Sequence, residues 1–106
     1  MIKVIYVKKD QILNFPSPPT AVGAKVGETV ILTASADSGL AVTYVSLSPS
    51  ICGINGDKAQ LYRVGVCNIE ARQLGNDGWY PAIPVTNSFA VDGLSEYVTY
   101  LPLLLR

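Results

Sequence analysis

Histidine is absent from this 106-residue chain, and charged side chains make up only 15% of it. Without histidine, nucleophilic catalysis would need a lysine as its base, and a zinc site would need other ligands beside the two cysteines. Eight acidic and eight basic residues cancel, and no basic stripe marks a surface for nucleic acid. No apolar run is long enough to span a bilayer. We therefore expect a non-catalytic protein with no cofactor, no metal, no nucleic-acid partner and no membrane span.

The apolar residues that make up 49% of the chain fall into short runs rich in β-branched and aromatic residues. Turn residues separate these runs about every 8–12 residues, which predicts an all-β antiparallel sandwich. The expected strands cover residues 1–7, 11–15, 30–36, 41–45, 51–54, 59–64, 66–71 and 85–91. Asn55 and Gly56 mark a hairpin turn, since both residue types tolerate positive φ. Asn76 and Asp77 fit a turn better than a calcium site, because no alternating acidic pattern surrounds them.

Three segments that follow one another along the chain carry a family resemblance: SGLAVTY at 38–44, SPSIC at 48–52 and GVCNIEA at 65–71. Together with QLGN at 73–76 and SFAV at 88–91, they resemble a bacterial immunoglobulin-like repeat, the type found in tandem in bacterial surface proteins and also on phage particles. The resemblance covers about residues 11–91 and implies an immunoglobulin-like sandwich. Ala41 stands where the family usually has proline, and Trp79 where it usually has tyrosine.

The resemblance also bears on the two cysteines and on the core. It supports a disulfide between Cys52 and Cys67, which would contribute roughly 3 kcal/mol in the chain-entropy model, although two buried free thiols remain the alternative. Trp79 is expected to fill the core at the place of the family's tyrosine rather than to stack on a sugar with Tyr80 and Tyr62. The side chains predicted to be mostly buried are Leu32, Val42, Tyr44, Leu61, Ile69, Trp79 and Phe89.

Both ends of the chain add strand-forming material to the repeat-like part. We expect an N-terminal strand extension at residues 1–10, the sandwich at residues 11–93 and an apolar C-terminal extension at residues 94–106. The extensions either pair with each other, closing a sheet edge, or dock on a partner protein. The predicted partner-binding residues are Tyr97, Tyr100, Leu101, Leu103, Leu104, Leu105, Ile2 and Val4.

Two functions fit these features. The first is a structural protein at the surface of a phage virion, which decorates or assembles the capsid or tail. It agrees with the first ten residues, whose apolar stretch is too short and too soon interrupted by charged residues for a secretory signal. The second is an adhesion or spacer repeat of a bacterial cell-surface protein, which explains a disulfide more readily. We favour the first, with a second copy or a larger assembly protein as partner and a surface glycan as a further ligand.

Overall fold

The structure is a computed structural model of the full chain, and it describes residues 7–18 and 21–93. Strands are the regular elements of this part, and they succeed one another along the chain with short connections. Their bounds are β1 Leu13–Asn14, β2 Thr29–Ile31, β3 Ser35–Ala36, β4 Thr43–Ser46, β5 Cys52–Asn55, β6 Lys58–Leu61, β7 Gly65–Arg72 and β8 Val85–Val91.

The strands form antiparallel sheets in the order β2-β6-β5 and β4-β7-β8, with β1 paired to β3. β2 and β3 follow each other closely in one segment, so we count them as one strand that pairs with β1 through β3 and with β6 through β2. The strand order of the first layer is then β1, the β2–β3 segment, β6 and β5. This is the order of the four-stranded sheet of an immunoglobulin constant-type sandwich, and β4-β7-β8 is the order of its three-stranded sheet. The all-β antiparallel sandwich expected from the sequence is confirmed.

Alternating residues of β7 show why the two layers pack together. Cys67, Ile69 and Ala71 are buried, whereas Val66 and Arg72 are exposed, as a strand with one face on a core requires. The buried apolar side chains of both layers form one cluster. Its members are Leu13, Phe15, Ala21, Ala24, Val30, Leu32, Cys52, Ala59, Leu61, Cys67, Ile69, Ala71, Ala82 and Val91.

The predicted core is partly confirmed by this cluster. Leu32, Leu61 and Ile69 are buried. Three more of the predicted side chains are partly buried and pack against the cluster; they are Val42, Tyr44 and Phe89. Trp79 is also mostly buried, but it belongs neither to the cluster nor to the side chains packed against it, so its expected place in the core is wrong.

The β5–β6 hairpin lies where the sequence predicts it, but its turn differs in detail. Asn55 pairs with Lys58, which leaves Gly56 and Asp57 as the two central residues. Gly56 has a φ of 64°, and no residue other than glycine among those described has positive φ. A positive φ at the first central residue alone is the pattern of a type II′ turn. Asn55 is thus the first of the four turn residues and not one of the two central ones.

The strand expected at residues 30–36 is interrupted between β2 and β3. The Ala34 N–H donates to the Tyr44 hydroxyl (2.9 Å), which reaches across from the opposite layer, and the Tyr44 ring lies 5.7 Å from that of Phe15. Burial raises the pKa of the Tyr44 phenol above its ordinary value, and the Asp57 carboxylate adds to the rise, while the bond from Ala34 opposes it. A contact between layers therefore replaces the ladder hydrogen bond at this point of the strand.

The two terminal extensions lie outside the described residues, except for residues 7–10 at the N-terminal side. Within the described part, no helix has both the length and the apolar character required to cross a membrane.

Candidate binding surface

The predicted partner-binding residues of the two ends all lie outside the described part of the chain, so they stay a prediction. The described residues nevertheless carry a surface that the sequence analysis did not single out. It lies beyond the C-terminal end of β7, where the connection to β8 meets residues 8–12.

The connection folds into a tight hairpin. Asn76 and Trp79 exchange two backbone hydrogen bonds (3.1 and 3.4 Å), and the Asn76 side-chain oxygen accepts the Gly78 N–H (2.8 Å). Asp77 and Gly78 are thus the central turn residues, which agrees with the turn predicted from their composition. Gly75 precedes the turn with a φ of 76°, and a Cβ there would lie only 2.3 Å from the Trp79 carbonyl oxygen. The hairpin therefore depends on glycine at position 75.

Residues 8–12 run alongside this hairpin and attach it to the sandwich. Lys9 donates its N–H to the Gly78 carbonyl (3.0 Å) and accepts the Tyr80 N–H (2.9 Å). The buried Gln11 side chain donates to the Tyr80 carbonyl (2.8 Å) and accepts a hydrogen bond from the Ser38 hydroxyl (2.5 Å). A single amide thus joins three segments that are far apart in sequence.

Two lysine–aromatic contacts cover the outside of the same region. The Lys8 ammonium lies 5.7 Å from the centroid of the Tyr80 ring, and the Lys9 ammonium lies 5.7 Å from that of Trp79. These distances are near the outer limit for a cation–π interaction. Leu74 and Ile83 flank the hairpin with 78% and 84% of their surface exposed. We call Lys8, Lys9, Leu74, Trp79, Tyr80 and Ile83 the aromatic end.

Tyr62 lies elsewhere, so the three aromatic residues considered for a glycan do not converge. It follows β6, whose last residue, Leu61, pairs with Cys52. Cys52 in turn is bonded to Cys67 near the start of β7, whereas the aromatic end follows the last residue of that strand. The Tyr62 ring packs over Gly53, where a Cβ would lie 2.5 Å from the tyrosine hydroxyl. Packing over a glycine explains this ring without a ligand.

The disulfide between Cys52 and Cys67 is confirmed, with Cα atoms 5.8 Å apart. It links β5 of one layer to β7 of the other, and both cysteines are fully buried. In antibody domains the bond between the layers joins the second and sixth strands of the fold. Here it joins β5 and β7, which are the fourth and sixth strands when β2 and β3 are counted as one.

Sequence reasoning missed the exposed aliphatic members of the aromatic end and the role of Gln11. In the sequence, Leu74 belongs to the family-like segment QLGN, and Ile83 lies in the connection between two expected strands, between Pro81 and Pro84. The spacing of three large apolar residues around a turn, at positions 74, 79 and 83, was the available signal.

Comparisons with protein-family models, with curated proteins and with solved structures found no match to this chain.

Proposed function

We propose that this chain is a non-catalytic, immunoglobulin-like structural protein that decorates or assembles the surface of a phage virion. The observation that carries the proposal is the cross-linked sandwich with large apolar side chains exposed at one end. Loops at the end of such a sandwich are a common place for protein recognition. Exposed aromatic and aliphatic side chains grouped together are typical of the centre of a protein interface.

The disulfide supports a location outside the reducing cytoplasm. Structural disulfides persist on virions, on cell surfaces and in secreted proteins, where no thiol pool reduces them. A buried bond between the two layers is suited to a small domain with a modest core, since it limits the conformations of the unfolded chain.

Polar side chains on the sandwich serve its own structure, which also supports a non-catalytic role. The Ser46 hydroxyl donates to the Cys52 carbonyl (2.8 Å) and accepts the Ser48 N–H (3.1 Å). The Asn68 amide donates to the Ser48 hydroxyl (2.9 Å), and the Ser88 hydroxyl donates to the Asn68 carbonyl oxygen. Each of these groups holds a connection or a neighbouring strand in place.

A second function, an adhesion or spacer repeat of a bacterial cell-surface protein, is favoured by the same disulfide. Mass spectrometry of fractions from cells that produce the chain separates the two. We expect the chain in purified virions, in a fixed ratio to the major capsid or tail protein and with both cysteines oxidised. Its presence in the cell-surface fraction alone would support the second function. A cytosolic chain with two free thiols would contradict both.

The terminal extensions belong to the same proposal as attachment elements. Truncation after Gly93 tests them, because it removes Tyr97, Tyr100 and the leucines of the C-terminal extension. We expect the shortened chain to stay folded, as judged by circular dichroism and a cooperative melt, and to lose attachment to particles. If it unfolds, the extension is part of the sandwich rather than an attachment element.

A further inference from the structure

The aromatic end exposes more aliphatic surface than a turn requires. Leu74 and Ile83 are largely exposed, and Tyr80 is half exposed. Leu74 lies in the arm before the turn and Ile83 in the arm after it, and the Ala82 N–H joins these arms by donating to the Gln73 carbonyl (2.9 Å). Burying each such side chain is worth about 1.5–3 kcal/mol. Sugars and phosphates gain little from aliphatic contacts of this kind. The surface is therefore suited to a protein or to a lipid layer.

The charges at the aromatic end favour a protein partner over a lipid layer. Lys8 and Lys9 carry positive charge, and the exposed Asp10 and Asp77 carry an equal negative charge close by. Within residues 7–18 and 21–93, the only ion pair is that between Arg72 and Glu70, so none of these four has an ion-pair partner there. An anionic membrane would attract the lysines but repel the two carboxylates, which cancels most of the electrostatic attraction.

We propose that the aromatic end binds the aromatic end of a second copy of this chain about a two-fold axis. In such an isologous contact the same patch faces itself, so it must offer both signs of charge around an apolar centre. Ile83 and Leu74 supply the apolar centre. Lys9 of each copy meets Asp77 of the other, and the lysine leaves its position over the Trp79 ring, which then packs in the interface. This dimer is independent of the particle or surface that the chain belongs to.

Sedimentation velocity of the full chain over a range of concentrations tests the dimer. We expect reversible dimerisation, and we expect Ile83→Asp to weaken it at least about tenfold, because a buried unpaired carboxylate opposes association. Val64→Asp is the matched control, since Val64 is also exposed but lies between β6 and β7, near the opposite end of the sandwich. Thermal melts of each variant establish that it is folded. A wild-type chain that stays monomeric, or equal loss in both variants, would overturn the proposal.

Charge reversal provides a second test, in which recovery of dimerisation in a mixture of two variants shows that neither variant has simply failed to fold. Lys9→Glu and Asp77→Lys each place like charges across the two-fold axis, so each variant alone should dimerise less. Mixed in equal amounts, they form a heterodimer in which both ion pairs are restored, and dimerisation should return. Failure of the mixture to recover would overturn the two-fold contact. Co-sedimentation of a monomeric wild-type chain with phosphatidylserine vesicles would show a lipid surface instead.

Discussion

The two ends of β7 lie in regions that are held together by different forces. Near its start, Cys67 is bonded to Cys52, and both cysteines are fully buried. Beyond its end, Gln11 and the turn at Gly75 hold the aromatic end through hydrogen bonds and a close backbone approach. The first region is cross-linked covalently in addition to the hydrogen bonds of Ser46 and Asn68. The second has no cross-link, so we expect it to lose its shape when one amide or one glycine is changed. We therefore expect a change in one region to leave the structure of the other intact.

Ile69→Ala should have the largest effect, because it empties a fully buried site in the middle of β7. We expect the free energy of unfolding to fall by about 2–5 kcal/mol, measured by urea denaturation. Val66→Ala, on the exposed face of the same strand, is the control and should change it by less than about 0.5 kcal/mol. Equal effects would mean that the two faces of β7 are assigned the wrong way round.

Removal of the disulfide by the paired change Cys52→Ala and Cys67→Ala should cost about 3 kcal/mol, since the bond spans 15 residues. The wild-type chain unfolded in urea with a thiol reductant is the control, and it should show a comparable loss. If the bond holds only the first region, the fluorescence of the single tryptophan, Trp79, should be unchanged in the folded variant. A changed spectrum would show that the two regions are coupled.

Gly75→Ala should destabilise the protein by about 2 kcal/mol, because alanine is strained at a φ of 76° and its Cβ would meet the Trp79 carbonyl oxygen. Here the tryptophan fluorescence should shift together with the loss of stability. Gly78→Ala is the matched control in the same hairpin, where the nearest atom to a new Cβ is 3.7 Å away. A harmless Gly75→Ala would mean that the hairpin can open without loss.

Gln11→Met should cost about 1–2 kcal/mol, because it keeps the side chain's length but leaves the Ser38 hydroxyl and the Tyr80 carbonyl without their partner. Hydrogen exchange should increase at the backbone amides of residues 9 and 80 and stay unchanged in β5 and β6. A uniform increase would indicate global destabilisation, and the contrast between the regions would then be lost.

The smallest effect concerns Tyr44 and appears only at high pH. Since the pKa of its phenol is raised in the folded state, the unfolded chain releases this proton first. The contribution is complete below about pH 10 and is lost as the pH rises through the folded-state pKa. Tyr44→Phe should therefore flatten the decline of the unfolding free energy above pH 10. Tyr62→Phe, at an exposed position, is the control and should leave the decline in place.

Local patterns in the sequence predicted most of the fold. The alternation of Cys67, Ile69 and Ala71 placed β7 and its buried face, and the residues around Gly56 placed the β5–β6 hairpin. Such features depend on neighbours in sequence. The break between β2 and β3 depends instead on the Tyr44 hydroxyl, which arrives from the other layer, so no local pattern could reveal it.

The candidate surface was harder to predict for the same reason. The sequence favours a core position for Trp79, because large aromatic side chains are usually buried and because the family resemblance has a tyrosine there. Its position is fixed by Lys9 and by the turn that Gly75 permits, and these residues come together only in the fold. Gln11 looks like an ordinary strand residue until its two partners are known.

The bond between β5 and β7 also determines how the domain transmits mechanical tension. A chain pulled from its ends carries the force across the sulfur atoms, so the hairpin at residues 53–66 is bypassed. The bridged stretch of 15 residues would otherwise extend to about 50 Å at ~3.3–3.6 Å per residue. An oxidised domain that is pulled open therefore lengthens by about 45 Å less than a reduced one. Under tension, the oxidised domain is therefore the shorter tether.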